Sequence, residues 1–144
     1  MSRLLQTCLL SASLLTMGTA VAEEVTVTEL QKGLDHPWGI AFLPEEQGLL
    51  ITERGGQLRL WQQGKGLSAP LTGVPRVWAE RQGGLLDIAL APDFAQSRRV
   101  WLSYTEADKE GRAGAVVGYG RLNTAHTGLE SFRVVLRQEP KLSG

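Results

Sequence analysis

The residues of this chain whose types and spacing could do chemistry are concentrated in one polar, glycine-containing loop, residues 78–87. Gln82 carries a side-chain amide, which offers both a hydrogen-bond donor and an acceptor. Gly83 and Gly84 follow it, and glycine lets the backbone turn sharply and approach a ligand closely. This combination suits a partner that carries carboxylate and carbonyl oxygens. The local sequence also permits a second interpretation, in which Gln82 is an ordinary polar turn residue.

The other polar candidates are isolated along the chain. His36 lies just before a predicted strand, where a turn or packing role is favoured over that of a catalytic base. His126 is flanked by threonine and small residues, which predicts an exposed turn. The two histidines are far apart in sequence and neither has a second ligand nearby, so no metal ligand is assigned in this chain. Glu53 and Arg54 are adjacent opposite charges, for which a solvated or structural contact is favoured over a functional pair.

Self-contained catalytic motifs are absent from the sequence. It contains no Gly-x-Ser-x-Gly elbow, no phosphate-binding loop, no His-Glu-x-x-His and no EF-hand loop. Gly118-Tyr119-Gly120 begins like a dinucleotide fingerprint but lacks the third glycine and a following helix. The single cysteine, Cys8, lies in the predicted leader described below, which leaves no cysteine nucleophile in the mature chain. No catalytic residue is therefore assigned.

The elements that must position the Gln82 loop form a repeat. Residues 38–45 and 49–53 return as residues 86–93 and 100–104, each copy having the pattern strand, proline–acid turn, strand. The later copy carries three extra residues around 94–99. A period of about 40–50 residues built from short strands is typical of β-propeller blades.

The periodicity of the remaining sequence is two rather than 3.6, which predicts strands and no sustained helix. Strands are predicted at 25–28, 40–42, 48–53, 58–62, 100–104, 115–122 and 131–137, with a hairpin at 54–57. Glycine-rich turns between them fit many short strands. The fold class is therefore predicted to be all-β, a partial β-propeller of about two to three blades. The four tryptophans are predicted to wedge between blades: Trp38, Trp61, Trp78 and Trp101.

The start of the chain predicts export. Residues 1–22 combine a basic start, a mostly apolar run and a small-x-small cleavage pattern, which together indicate a secretory signal peptide. A transmembrane anchor is the rival interpretation, but polar residues interrupt the run. Loss of Arg3 with the leader leaves 14 basic and 15 acidic residues, a balance that suggests neither a nucleic-acid nor a membrane partner.

Four segments carry a resemblance to a known family. Residues 34–42, 52–56, 82–94 and 118–122 occur in order and at family spacing, and Gln82-Gly83-Gly84-Leu85-Leu86-Asp87 is the most specific block. Over nearly all of residues 25–144 the chain resembles the soluble aldose sugar dehydrogenases that depend on pyrroloquinoline quinone (PQQ), in the glucose/sorbosone dehydrogenase family.

The resemblance implies a six-bladed β-propeller in the periplasm that binds PQQ together with calcium and oxidises the anomeric hydroxyl of an aldose to a lactone. Such chemistry needs a base for the hydroxyl proton while hydride passes to the quinone. The counterpart of Gln82 in the family contacts the cofactor. The histidine base, most cofactor ligands and the calcium ligands belong to motifs expected beyond Gly144. Residues 23–144 are therefore expected to be the N-terminal part of a propeller dehydrogenase, inactive alone.

A second class of function is also consistent with the sequence. The chain could be a non-enzymatic secreted β module that binds or assembles with other molecules and has no affinity for the quinone. Neither interpretation predicts the preferred sugar, the electron acceptor or the oligomeric state.

Overall fold

The computed structural model describes residues 25–143, which form two four-stranded antiparallel sheets. Blade 1 contains, in hydrogen-bonded order, β1 (Pro37–Phe42), β2 (Leu49–Glu53), β3 (Gln57–Gln62) and β4 (Gly66–Leu67). Blade 2 contains β5 (Leu85–Leu90), β6 (Arg99–Ala107), β7 (Ala113–Leu122) and β8 (Leu129–Arg137). A 3₁₀ turn (Pro44–Glu46) follows β1, and helix α1 (Phe94–Ser97) follows β5. The prediction of an all-β partial propeller is confirmed.

The sequence repeat is a structural repeat. The first strand of each blade, β1 or β5, pairs with its neighbour through a register shift, between Pro37 and Ile40 in blade 1 and between Leu85 and Ile88 in blade 2. These two bulges lie at equivalent positions of the repeat. The extra residues of the second copy accompany α1, which replaces the shorter 3₁₀ turn of the first copy.

A hydroxyl group completes each bulge. A bulge leaves a backbone amide without a ladder partner, and a buried amide needs an acceptor. In blade 1 the Gly39 N–H donates to Thr52 Oγ1 at 2.9 Å, and in blade 2 the Asp87 N–H donates to Ser103 Oγ at 3.0 Å. The Thr52 hydroxyl then donates to the Leu86 carbonyl at 2.5 Å. This hydrogen bond joins blade 1 to the bulge of blade 2.

The hydrophobic core lies between the two sheets. Alternate side chains of β1, β3, β6 and β7 are buried, whereas residues 50–53 of β2 are all buried. Both blades contribute to a single cluster. Blade 1 supplies Ala41, Leu50, Leu58 and Leu60, and blade 2 supplies Leu85, Ile88, Val100, Leu102, Tyr104 and Val116. The opposite face of β1 is uncovered among the described residues, with Trp38, Ile40 and Phe42 exposed to 51%, 56% and 75%.

One prediction about these elements is wrong. Residues 25–28 form no strand, and Val25 and Val27 are 85% and 90% exposed. Their alternation has no neighbouring strand to pair with in the part of the chain that the structure describes. None of the four tryptophans belongs to the core between the two described blades; Trp101, for example, packs on Tyr119 with ring centroids 4.9 Å apart. Whether the tryptophans pack against further blades stays a prediction.

The predicted leader, residues 1–22, lies outside the described residues, as do residues 23, 24 and 144. Within residues 25–143 no helix has the length and apolar character needed to span a bilayer.

Candidate functional site

Gln82 lies in the loop that leads into β5, at the end of the sheets where β1 and β5 begin and β2 ends. Backbone hydrogen bonds attach this loop to β6. The Trp78 N–H donates to the Thr105 carbonyl at 2.7 Å, and the Thr105 N–H donates to the Gly84 carbonyl at 2.9 Å. Both ends of the segment that carries Gln82 are therefore tied to the same residue of a central strand.

The guanidinium of Arg54 holds the middle of this loop. Arg54 follows the last residue of β2, and its Nη1 atom donates to three carbonyls of the loop, those of Ala79 (3.3 Å), Arg81 (3.0 Å) and Gly83 (3.2 Å). Its main chain contributes as well, because the Leu85 N–H donates to the Arg54 carbonyl at 3.0 Å. One arginine therefore connects the end of blade 1 to the start of blade 2.

The backbone of the loop passes so close to Arg54 and Trp78 that the two residues after Gln82 must be glycine. Gly84 has φ +146°, and a Cβ atom there would overlap the Arg54 carbonyl oxygen and lie 2.6 Å from Arg54 Cγ. A Cβ atom on Gly83 would lie 2.6 Å from the Trp78 carbonyl oxygen. Any larger residue at either position would push the loop away from its anchors.

A cleft of about 380 Å³ opens beside the loop, within the roughly 300–1,000 Å³ typical of small-molecule sites. Arg81 and Gln82 line it and are exposed, and neither side chain forms a hydrogen bond within residues 25–143. Trp78 contributes an aromatic wall. Gly83 of the loop also lines the cleft, and the other lining residues come from blade 2 and the segment after it: Thr105, Ala113, Gly114, Ala115, Gln138 and Leu142.

The segment after β8 closes the far side of the cleft. Ala113 and Leu142 exchange two backbone hydrogen bonds, both of 2.9 Å. Lys141 Nζ and Arg137 Nε donate to the same oxygen of Glu106, at 2.9 and 2.8 Å. Burial would raise the pKa of Glu106, but these two hydrogen bonds outweigh it and hold the pKa below its ordinary value.

This lowered pKa predicts a pH dependence of stability. A carboxyl group whose pKa is depressed by folding stabilises the protein above the pKa of the unfolded chain, near 4.5, and loses that contribution as pH falls through the folded value. We expect Glu106→Gln to reduce the loss of unfolding free energy between about pH 6 and pH 3, measured by urea titration. Glu110→Gln, at an exposed carboxylate, is the control and should leave that loss unchanged. Equal behaviour of the two variants would contradict the assignment.

His36 occupies a turn, as predicted, with φ +49°. Its Nδ1 atom lies 2.6 Å from Asp35 Oδ1, and both side chains are 71% exposed. The His36 carbonyl accepts the Arg54 N–H at 3.0 Å, which places this turn at the same end of the sheets as Gln82. His36 does not line the cleft.

His126 also occupies a turn, since its N–H donates to the Asn123 carbonyl at 3.1 Å. Its ring is half-buried rather than exposed, and burial, followed by the nearby Arg98 and Lys65 charges, lowers its pKa. Within residues 25–143 no three histidine, cysteine, aspartate or glutamate side chains come together to hold a metal ion.

Glu53 and Arg54 do not pair with each other. Glu53 is 1% exposed, accepts the Asp35 N–H at 2.7 Å and pairs with Arg59 at 3.2 Å. The structural interpretation of these charges is correct, but they are not solvated. The sequence did not indicate the hydrogen bonds from Arg54 to the Gln82 loop, nor the contribution of residues 138–142 to the cleft. The Gly-Gly pair after Gln82 was the one available signal of a close backbone contact.

Comparison with known proteins supplies the context for this site. The family model described as glucose/sorbosone dehydrogenase matches residues 34–144. The aldose sugar dehydrogenase YliI of Escherichia coli K12 is 63% identical over 124 residues, which cover 86% of this chain and 33% of that protein.

Solved structures give the same result. A crystal structure of the soluble aldose sugar dehydrogenase of Escherichia coli in the apo form is 66% identical, with a TM-score of 0.78 over 79% of this chain and 33% of that chain. The PQQ-bound form of an aldose sugar dehydrogenase from Streptomyces coelicolor is 27% identical, with a TM-score of 0.60 over 80% of this chain and 34% of that chain. The chain thus spans about a third of the length of these relatives, and by sequence and fold it belongs to the glucose/sorbosone dehydrogenase family.

Proposed function

We propose that this chain forms the first blades of a PQQ-dependent oxidoreductase that oxidises the anomeric hydroxyl of an aldose to a lactone, and that Gln82 contacts the cofactor. The observation that carries the proposal is the exposed Gln82 side chain on an anchored loop beside a cleft of suitable size. The 63% identity to an aldose sugar dehydrogenase supports the reaction class. The PQQ-bound relative supports the cofactor.

The donors beside the cleft fit part of the quinone. PQQ is a planar molecule with carboxylates and adjacent carbonyls, and a guanidinium group is the side chain best suited to a carboxylate. Arg81 and Gln82 supply one guanidinium and one amide at the cleft. Calcium is proposed from the family resemblance alone. The described residues bring no set of acidic ligands together for it, so no step is derived through the metal.

A bound quinone would supply the acceptor for the hydride of the sugar carbon. The role of this chain is to bind and orient. Gln82 donates to or accepts from an edge of the cofactor, and the anchored backbone keeps that amide in one position, which lowers the entropy lost on binding. The ring of Trp78 excludes water from one side of the cleft. We assign the base that removes the hydroxyl proton to a part of the dehydrogenase outside residues 25–143.

The proposal includes a location. Residues 1–22 would direct the protein through the secretory pathway to the periplasm, where an aldose is the small-molecule substrate. The electron acceptor is left unassigned, because no described residue suggests its chemistry.

Replacing Gln82 by alanine tests the site assignment. In the complete gene product that contains this chain, Gln82→Ala is expected to weaken PQQ affinity about tenfold, the effect of one hydrogen bond to a charged group. Affinity is measured by titrating the apoprotein with PQQ and calcium and following aldose-dependent dye reduction. Gln96→Ala, at an exposed glutamine of α1, is the matched control. Unchanged affinity in Gln82→Ala would make Gln82 an ordinary turn residue.

The same titration decides between the two classes of function. A complete gene product that binds no PQQ and reduces no dye with any aldose would refute the proposed reaction. That result would favour the non-enzymatic secreted module.

A further inference from the structure

Arg54 has an unusual set of partners for a half-buried arginine. Among the described residues its guanidinium forms no ion pair, and its hydrogen bonds go to backbone carbonyls of the Gln82 loop. The positive charge of Arg54 therefore interacts with the dipoles of peptide groups rather than with a carboxylate. Charge-assisted hydrogen bonds of this kind are stronger than neutral ones.

The placement of these hydrogen bonds is specific to Gln82. Two of the three acceptors are the carbonyls of Arg81 and Gly83, the residues immediately before and after it. The Arg81 carbonyl belongs to the peptide group that precedes Gln82, and the Gly83 carbonyl belongs to the peptide group between Gly83 and Gly84. The peptide group between Gln82 and Gly83 is held by the Gly83 N–H, which donates to the Glu80 carbonyl at 2.7 Å. Restraining the backbone before and after Gln82 in this way fixes the direction in which its side chain leaves the backbone. The third acceptor, the Ala79 carbonyl, ties the start of the loop to the same group.

The main chain of Arg54 is itself held on both sides. Its N–H donates to the His36 carbonyl at 3.0 Å and its carbonyl accepts the Leu85 N–H at 3.0 Å. The guanidinium therefore extends from a backbone that is tied to the start of β1 and to the start of β5. Lysine carries its ammonium nitrogen one bond closer to the backbone than arginine carries Nη1, so a lysine at this position would keep the charge but would not place its nitrogen where Nη1 meets the three carbonyls.

From this geometry we infer that Arg54 is the positioning residue of the quinone site: it holds the carbonyl groups of the residues before and after Gln82 and so aims the Gln82 amide into the cleft without touching the cofactor. The inference rests on the proposed function, and it adds a residue that the sequence motif did not single out for this role. Because a displacement of about 1 Å at a binding group can cost a large factor in rate or affinity, the effect of losing Arg54 should appear at the cofactor.

The test uses the complete gene product with Arg54→Ala and Arg54→Lys, and Arg133→Ala at an exposed arginine of β8 as the control. Arg54→Ala is expected to weaken PQQ affinity at least tenfold, and Arg54→Lys by less, because lysine keeps the charge but has a shorter reach. Guanidinium ion at about 10 mM, far below denaturing concentrations, should restore much of the affinity of Arg54→Ala. It should not restore that of Gln82→Ala. Affinity of Arg54→Ala equal to that of the control would overturn the inference.

Hydrogen exchange separates failure of this inference from failure of the proposed function. The Gly83 N–H donates to the Glu80 carbonyl at 2.7 Å within the loop, so it should be protected in the parent protein. Its protection should be lost in Arg54→Ala, reduced in Arg54→Lys and regained with guanidinium, whether or not PQQ binds. Unchanged protection in both variants would overturn the positioning role even if the parent protein binds the quinone.

Discussion

Replacing Gly84 by alanine is expected to destabilise the protein by more than about 3 kcal/mol, the largest effect of any single methyl group that we predict. Gly84 has φ +146°, a region essentially restricted to glycine. The added Cβ atom would also overlap the Arg54 carbonyl oxygen. That carbonyl cannot withdraw, because it accepts the Leu85 N–H and continues directly from β2. The measurement is urea unfolding of the complete gene product that contains this chain, with and without the substitution.

Gly64→Ala is the matched control for this prediction. Gly64 also has a positive φ, +76°, but an added Cβ atom would meet nothing within 4 Å. Its cost should be limited to the left-handed backbone, about 1 kcal/mol. The difference between the two variants therefore measures the contact with Arg54 together with the extra backbone cost of φ +146°. Equal destabilisation of both would show that the loop relaxes freely and that the Arg54 anchor is weak.

Removing the carboxylate of Glu53 is the second change expected to have a large effect. Glu53→Ala should cost about 3 kcal/mol, typical of breaking a buried ion pair by deleting one partner. Glu53 is 1% exposed and receives two donors, the Asp35 N–H at 2.7 Å and Arg59 Nη1 at 3.2 Å. The alanine variant would leave the Arg59 charge, whose side chain is only 19% exposed, without its counterion.

A surface ion pair supplies the comparison for Glu53. Glu130 accepts from Arg121 at 2.9 Å, but the two side chains are 48% and 62% exposed, and Glu130→Ala should cost at most about 1 kcal/mol. Glu53→Gln, which keeps an acceptor oxygen of the same size, should fall between the two. If Glu53→Ala cost no more than Glu130→Ala in thermal or urea unfolding, the buried pair would not be a stabilising feature of blade 1.

The sequence predicted the strands well where their pattern is both alternating and duplicated. The two copies of the strand–turn–strand unit locate β1 with β2 and β5 with β6, because the hydrophobic period and the proline after each first strand are local signals. Residues 25–28 alternate equally well but form no strand. Alternation specifies a strand only where a neighbouring strand can accept its hydrogen bonds, and the sequence does not show whether that neighbour exists.

Of the candidate site, only the loop that carries Gln82 could be predicted from the sequence. Gln82 and the two glycines after it suggested a close approach to a ligand, and the structure places Gln82 beside a cleft. The partners that hold this loop could not be predicted. The three guanidinium contacts of Arg54 span 25 to 29 residues of sequence, and the carbonyls that receive them carry no residue-specific signal. The segment 138–142 reaches the cleft through a backbone bridge between Ala113 and Leu142, which is equally independent of side-chain type.

The two bulges make the two free sides of the two-blade unit different from each other. The Thr52 hydroxyl donates a hydrogen bond to the first strand of the following sheet, at the Leu86 carbonyl. Ser103 receives its own bulge amide in the same way, yet within residues 25–143 its hydroxyl has no acceptor. The free side of blade 2 therefore carries a hydroxyl that can donate a hydrogen bond to a following sheet. The free side of β1, with Ile40 and Phe42 uncovered, is the side on which a preceding sheet would pack. A unit with two different free sides is extended head to tail, and each added sheet would be joined to the one before it by a hydrogen bond from one threonine or serine.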